Sequence, residues 1–192
     1  MRPLYLLIAV FLISMMISCQ NSKENTFQFD IPAGENPKKT VYYFVRHAEK
    51  DTTDKKDRDP QLTEEGIRRA NYLATYFEDK DLNAFYSTDY SRTIQTLIPT
   101  IYKFKGEIIS YNPSKDSLFT KQFWENTYGK NVIVLGHSNT SPRFVNEILE
   151  YNKYDNLDEN NYNNFYKVEI DSELKVIDTM LTKRVPMDFS YN

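Results

Sequence analysis

Two stretches of this chain are apolar on both faces of an extended strand: Thr40-Val41-Tyr42-Tyr43-Phe44-Val45 and Asn131-Val132-Ile133-Val134-Leu135. Side chains alternate sides along a strand, so a strand with one wet face shows polar residues at every second position. Neither run does, and each therefore has to be covered above and below, as happens in a parallel sheet flanked by helices. That requirement implies an α/β fold, a three-layer α/β/α arrangement around a mostly parallel central sheet. Each run also leads directly into one of the only two histidines of the chain, through Val45-Arg46-His47 and Leu135-Gly136-His137. In open α/β sheets ligands sit outside the carboxyl ends of the strands, so two histidines at such ends point to one crevice.

The remaining pattern alternates strand and helix. Thr63 can cap a helix whose first turn carries Glu64 and Glu65, favourable at the positive end of the helix dipole, and Ile67, Ala70, Leu73, Ala74 and Phe77 form one helical stripe. A strand over Asn83–Ser87 leads to a helix over Tyr90–Phe104, and a strand over Glu107–Tyr111 to a helix over Ser114–Tyr128 that Gly129 terminates. After the strand ending at Leu135, Ser141 and Pro142 suit the start of a helix through Leu149. Tyr151–Asn164 has no period and is predicted to be a loop, followed by a late antiparallel hairpin of Phe165–Ile170 and Lys175–Leu181.

At 192 residues, with 40% hydrophobic and 27% charged residues, the chain can bury one ordinary core, and a single globular domain over residues 40–192 is expected. The net charge of -3 argues against phosphate-backbone binding, so no nucleic-acid partner is expected. The amino terminus is a separate object: Arg2 precedes an apolar run from Leu4 to Ile17, broken by Ser14, too short for a comfortable bilayer span and built like an export signal. Met16-Ile17-Ser18-Cys19 resembles a bacterial lipoprotein box, with Met where Leu is usual. The resemblance implies a signal peptide over residues 1–18, lipidation of Cys19, a polar tether over residues 19–39, and a protein anchored by lipid in the bacterial cell envelope, on the outer membrane. Cys19 is the only cysteine, which rules out an intramolecular disulfide.

The chemistry gathers at the strand ends. Arg46-His47 offers a guanidinium, which grips two phosphate oxygens through its planar fork, and an imidazole, which can attack phosphorus. Alone, such a pair is commonly structural. Arg92 follows the second strand, in Tyr86-Ser87-Thr88-Asp89-Tyr90-Ser91-Arg92, where the first turn of a helix favours an anion; its plainer role is an ion pair with Asp89. Gly136-His137-Ser138 adds a second imidazole and a short loop with backbone N–H groups, although a lone histidine there is as often a satisfied core residue.

Taken together, Arg46-His47-Ala48-Glu49, Asp59-Pro60-Gln61-Leu62-Thr63-Glu64-Glu65-Gly66, Tyr86-Ser87-Thr88 through Gln95-Thr96, and Val134-Leu135-Gly136-His137-Ser138 resemble the histidine phosphatase superfamily in its phosphoglycerate-mutase-like branch, branch 1. The resemblance spans Val41 to Leu149. It implies a phosphohydrolase that cleaves phosphomonoesters or phosphoramidates through a phosphohistidine on His47, with Arg46, Arg92, His137 and Ser138 binding the phosphate, and with neither metal nor cofactor. The leaving-group acid, which the family often places between the second Arg and the second His, is expected at Asp116, with Glu107 the other residue in the interval; Glu49 would orient the Arg-His loop. Substrates would be small-molecule or protein phosphates, protein phosphohistidine among them. The alternative is a non-catalytic lipoprotein that binds phosphate or a phospho-ligand.

Overall fold

The computed structural model describes residues 28–114 and 118–191. The export signal expected over residues 1–18, the lipidation site Cys19 and the acid candidate Asp116 lie outside the described residues. Among those described, β1 (Thr40–Arg46), β2 (Ala84–Thr88), β3 (Ile108–Tyr111), β4 (Asn131–Gly136), β5 (Asn164–Ile170) and β6 (Val176–Thr182) form one sheet in the order β3-β2-β4-β1-β5-β6. The first four are mutually parallel, while β5 runs antiparallel to β1 and β6 antiparallel to β5. The helices are α1 (Glu64–Phe77), α2 (Ser91–Phe104), α3 (Lys121–Thr127) and α4 (Thr140–Leu149).

Every residue of β1 is buried, as its unbroken apolar run requires. Its alternate side chains divide between two cores. Tyr42 and Phe44 join Val132, Val134, Trp124 of α3 and Phe144 of α4 on one face, and Val41, Tyr43 and Val45 join Ile133, Leu135, Phe77 of α1 and Leu97 of α2 on the other. Helices therefore cover both faces, and the expected three layers with a mostly parallel sheet and a late antiparallel hairpin are what the chain forms.

Local sequence explains the element ends. Thr63 accepts from Gly66 N–H at 3.1 Å and caps α1. Gly66 is needed for close approach: a Cβ there would stand 2.2 Å from the carbonyl oxygen of Glu49, in the loop that follows β1. The third helix is shorter than its sequence suggests. Asn112 folds back to accept from Ser114 N–H at 2.9 Å, and Thr120 accepts from Phe123 N–H at 3.1 Å. Side-chain oxygens that bind backbone N–H groups compete with helix and mark its start, so α3 begins at Lys121 and not at Ser114. Ser141 likewise does not cap α4: the cap position is Asn139, and Ser141 is buried inside the first turn. Part of the segment expected as tether rests on the domain. Phe29 meets Trp124 edge to face with ring centroids 4.8 Å apart, and the Trp124 indole donates to Asp30 O at 2.6 Å.

Register positions the histidines. Arg46 pairs with Gly136 across β1 and β4, so the next residue on each strand, His47 and His137, emerges side by side at the carboxyl end of the sheet. The His47 N–H extends the ladder by donating to Gly136 O at 2.9 Å.

Candidate active site

The loop leaving β1 is held from α2. Ala48 N–H donates to Thr96 Oγ1 at 2.9 Å, and the Thr96 hydroxyl donates to Arg92 O at 2.7 Å. Gln95, one residue earlier, accepts from Leu62 N–H at 2.8 Å and holds the chain entering α1. With Ala48 so fixed, its carbonyl lies 2.7 Å from His47 Nδ1. A carbonyl only accepts, so Nδ1 carries the proton and Nε2 presents a bare lone pair. The ring is 3% exposed. Burial, joined by the positive charges of Arg46 and Arg92 and by His137, lowers its pKa to about 3 despite the opposing Ala48 carbonyl, and His47 is a neutral imidazole at ordinary pH.

Arg46 ends β1 beneath the loop that joins α4 to β5. Its Nη1 donates to Asp158 O at 2.8 Å and Asn161 O at 3.1 Å, its Nη2 to Glu159 Oε2 at 3.1 Å, and its plane lies over the Tyr162 ring at 4.3 Å. Arg92, in the first turn of α2, stacks on Tyr90 at 4.3 Å and reaches Asp59 at 3.5 Å. Its partner is therefore Asp59, which also receives Ser91 N–H and Oγ–H at 2.8 and 2.7 Å, and not the adjacent Asp89. Arg46 Nε and Arg92 Nε are both buried without a hydrogen-bond partner among the described residues. A buried, unanswered charged donor is costly, and an anion reaching both guanidinium groups would answer that cost.

His137 is half-buried between Tyr90 and His47, with ring centroids 5.3 and 5.5 Å away. Its Nε2 lies 3.2 Å from Thr88 Oγ1. The Thr93 hydroxyl has carbonyl acceptors at 2.9 Å in Thr88 and 2.8 Å in Tyr90 and gives its single proton to them. Thr88 Oγ1, 2.9 Å from Thr93 Oγ1, then donates to it and accepts from His137, which places the proton on Nε2. Burial first, then Arg92, Lys50 and Arg46, lower the His137 pKa to about 4. His137 N–H is held at 2.8 Å by Thr140 Oγ1, an approach that requires Gly136, since a Cβ there would lie 2.5 Å from that oxygen.

His47, Arg92, His137 and Ser138 line one cleft of about 580 Å³, together with Lys50, Tyr90, Asn139, Arg143, Asn156 and Glu159. Arg46 stands behind that wall and meets it through Glu159. The fallback acid Glu107 precedes β3, at the end of the parallel strands opposite the histidines. Glu49 turns away to Arg69, at 2.7 Å from Nη2 and 2.9 Å from Nε, and so fixes the loop after His47, the orienting position expected for it. Sequence reasoning missed Lys50, Thr88, Tyr162 and Glu159. Ser138 Oγ donates to Glu159 Oε1 at 2.7 Å, so this carboxylate bridges Ser138 and Arg46. One signal for it did exist: a strand antiparallel to β1 must start beside the carboxyl end of β1, which brings the loop before it to the site.

A mostly parallel sheet with paired strand-end histidines, two flanking arginines and a covering loop is an α/β phosphatase-like fold. Residues 42–111 match the family model described as the histidine phosphatase superfamily (branch 1). Among solved structures, the protein histidine phosphatase SixA complexed with tungstate is similar over 74% of this chain and 96% of its own, at 14% identity and a TM-score of 0.58. A phosphoserine phosphatase from Entamoeba histolytica in complex with phosphoserine aligns over 74% and 96%, at 12% identity and 0.57. The mycobacterial glucosyl-3-phosphoglycerate phosphatase aligns over 77% and 100%, at 10% identity and 0.54. At these identities the likeness establishes the fold. By sequence, no curated protein matches the chain.

Proposed function

We propose that the protein is a phosphohydrolase that cleaves phosphate esters through a phosphohistidine on His47, without a metal ion. The observation that carries this reading is the Ala48 carbonyl 2.7 Å from His47 Nδ1, which leaves a neutral Nε2 lone pair facing the cleft beside two arginines whose buried Nε–H groups have no partner among the described residues. Nε2 attacks phosphorus in line with the leaving oxygen, and the phosphoryl charge, spread over three oxygens, meets Arg46 and Arg92, with the Nε2–H of His137 joining them once it leaves Thr88 Oγ1. Water then attacks the phosphohistidine and releases inorganic phosphate. The cleft wall beyond the histidines is mostly polar, with Asn139, Arg143 and Asn156. That lining suits a phosphomonoester of a polar alcohol better than an aryl phosphate. The similar SixA and phosphoserine structures support phosphate chemistry on this fold. We further propose that the protein works at the cell envelope, held through lipid on Cys19, on the strength of the Met16–Cys19 box and the apolar run before it.

The test is phosphate release by the full-length protein from a panel of phosphate esters in EDTA, beside His47→Ala, with rapid quench to trap the enzyme. Release by wild type alone, with an acid-labile, alkali-stable phosphoenzyme, supports the reading. Turnover that EDTA abolishes overturns the metal-free mechanism, and tight binding of inorganic phosphate with no release from any ester establishes a binding protein instead.

A further inference from the structure

We infer that Glu159 is the proton donor to the leaving group, resting on the reading that His47 is phosphorylated. The residue comes from the loop between α4 and β5, outside the interval in which an acid was expected. Its two oxygens receive Arg46 Nη2 at 3.1 Å and Ser138 Oγ at 2.7 Å, and its side chain lines the cleft with His47 while remaining 73% exposed. These two donors are also the ones a phosphate oxygen would take. A phosphate bound against His47 therefore displaces the carboxylate, and an exposed side chain at a loop tip moves at little cost.

The displacement charges the acid. In the free protein Glu159 accepts from Arg46 Nη2 at 3.1 Å. Once the phosphate dianion has Arg46, the carboxylate has lost its cation and stands beside two like charges, which favours its protonated form. The groups facing it are Arg46 at the end of β1, Lys50 in the loop after His47, Arg92 on α2, His137 and Ser138 before α4, Arg143 on α4, and Tyr162 in its own loop. A substrate arriving as the monoanion supplies the proton itself. As Nε2 bonds to phosphorus and the P–O bond breaks, the leaving oxygen takes the proton from Glu159. The carboxylate then removes a proton from water as its oxygen attacks, the electrons of the N–P bond return to the ring, and inorganic phosphate leaves.

The experiment measures kcat/KM of full-length wild type, Glu159→Gln and Glu159→Asp on p-nitrophenyl phosphate and on alkyl phosphates such as glycerol phosphate and phosphoserine, with phosphoenzyme trapped in parallel. A positioned acid contributes about 10²- to 10⁴-fold where the leaving group is poor and little where it is good. The expected result is a loss of about 10²-fold or more for Glu159→Gln on alkyl esters, near-wild-type rates on the nitrophenyl ester, and partial recovery in Glu159→Asp. An equal loss on every ester, the mark of a structural role, overturns the proposal. So does an equal gain, the mark of a carboxylate that only competes with phosphate. Wild type that forms no phosphoenzyme and hydrolyses no ester defeats the underlying reading instead, an outcome distinct from either.

Discussion

Acidification probes the state of His47 directly. The ring has an ordinary pKa of 6.5 and one of about 3 in the folded protein, chiefly through burial. Between those values the unfolded chain binds a proton that the folded chain does not, so the folded state loses stability as pH falls through the window. At about pH 5 the unfolded pKa has been passed by about 1.5 pH steps, each worth about 1.4 kcal/mol, and His47 alone removes about 2 kcal/mol. The perturbation is His47→Asn, whose side-chain amide can still donate to Ala48 O but does not titrate. Urea unfolding of both proteins from about pH 7.5 to about pH 5 gives the assay. Carboxylates common to both cancel in the difference, and wild type should lose about 2 kcal/mol more than the variant. Inorganic phosphate should shrink that difference, because an anion beside the ring favours imidazolium. Parallel loss in the two proteins would refute the claim that His47 is held neutral by desolvation.

Other consequences of the structure are open to measurement. Gly66→Ala sets a Cβ against the Glu49 carbonyl and should shift the loop after His47, with turnover falling about 10²-fold because small misplacements near the chemistry are amplified; unchanged turnover would remove that loop from the positioning of the nucleophile. Trp124→Ala empties the core between α3 and β1 and should cost about 3–5 kcal/mol in chemical denaturation. Arg92→Ala should weaken inorganic phosphate binding at least about tenfold in calorimetry, as loss of a charged donor to phosphate does; undiminished affinity would leave the anion to Arg46 and His137. Mass spectrometry of protein purified from bacterial membranes should find a mature chain beginning at a lipid-modified Cys19, and an unmodified chain that begins at Met1 would refute the lipoprotein reading.

The sheet and its histidines were legible because burial on both faces leaves a direct mark: Tyr42, Phe44, Val132 and Val134 pack one layer while Val41, Tyr43 and Ile133 pack the other. Arg92 was legible as a helix-start cation but not its partner, since Asp59 arrives from a loop 33 residues away. Helix α3 was overextended because the hydrogen bonds of Asn112 and Thr120 to nearby backbone leave the apolar pattern unchanged. Glu159 left no local mark, for another reason. Its loop has no period, and what brings it to the site is the antiparallel pairing of Phe44 with Tyr166, a fact of strand order and not of local sequence.

The grip on Arg46 bears on how the site tolerates change. Its Nη1 is oriented by the carbonyls of Asp158 and Asn161, and every amino acid carries a carbonyl. The Asp158 side chain instead closes the turn by accepting from Asn160 N–H at 2.8 Å, and that of Asn161 does so for Asn163 at 3.2 Å. At Asp158 and Asn161 the guanidinium therefore tolerates any residue that preserves the path of the main chain, while a one-residue deletion in the loop would untether it. For this part of the pocket, what inheritance has to preserve is a curve through space.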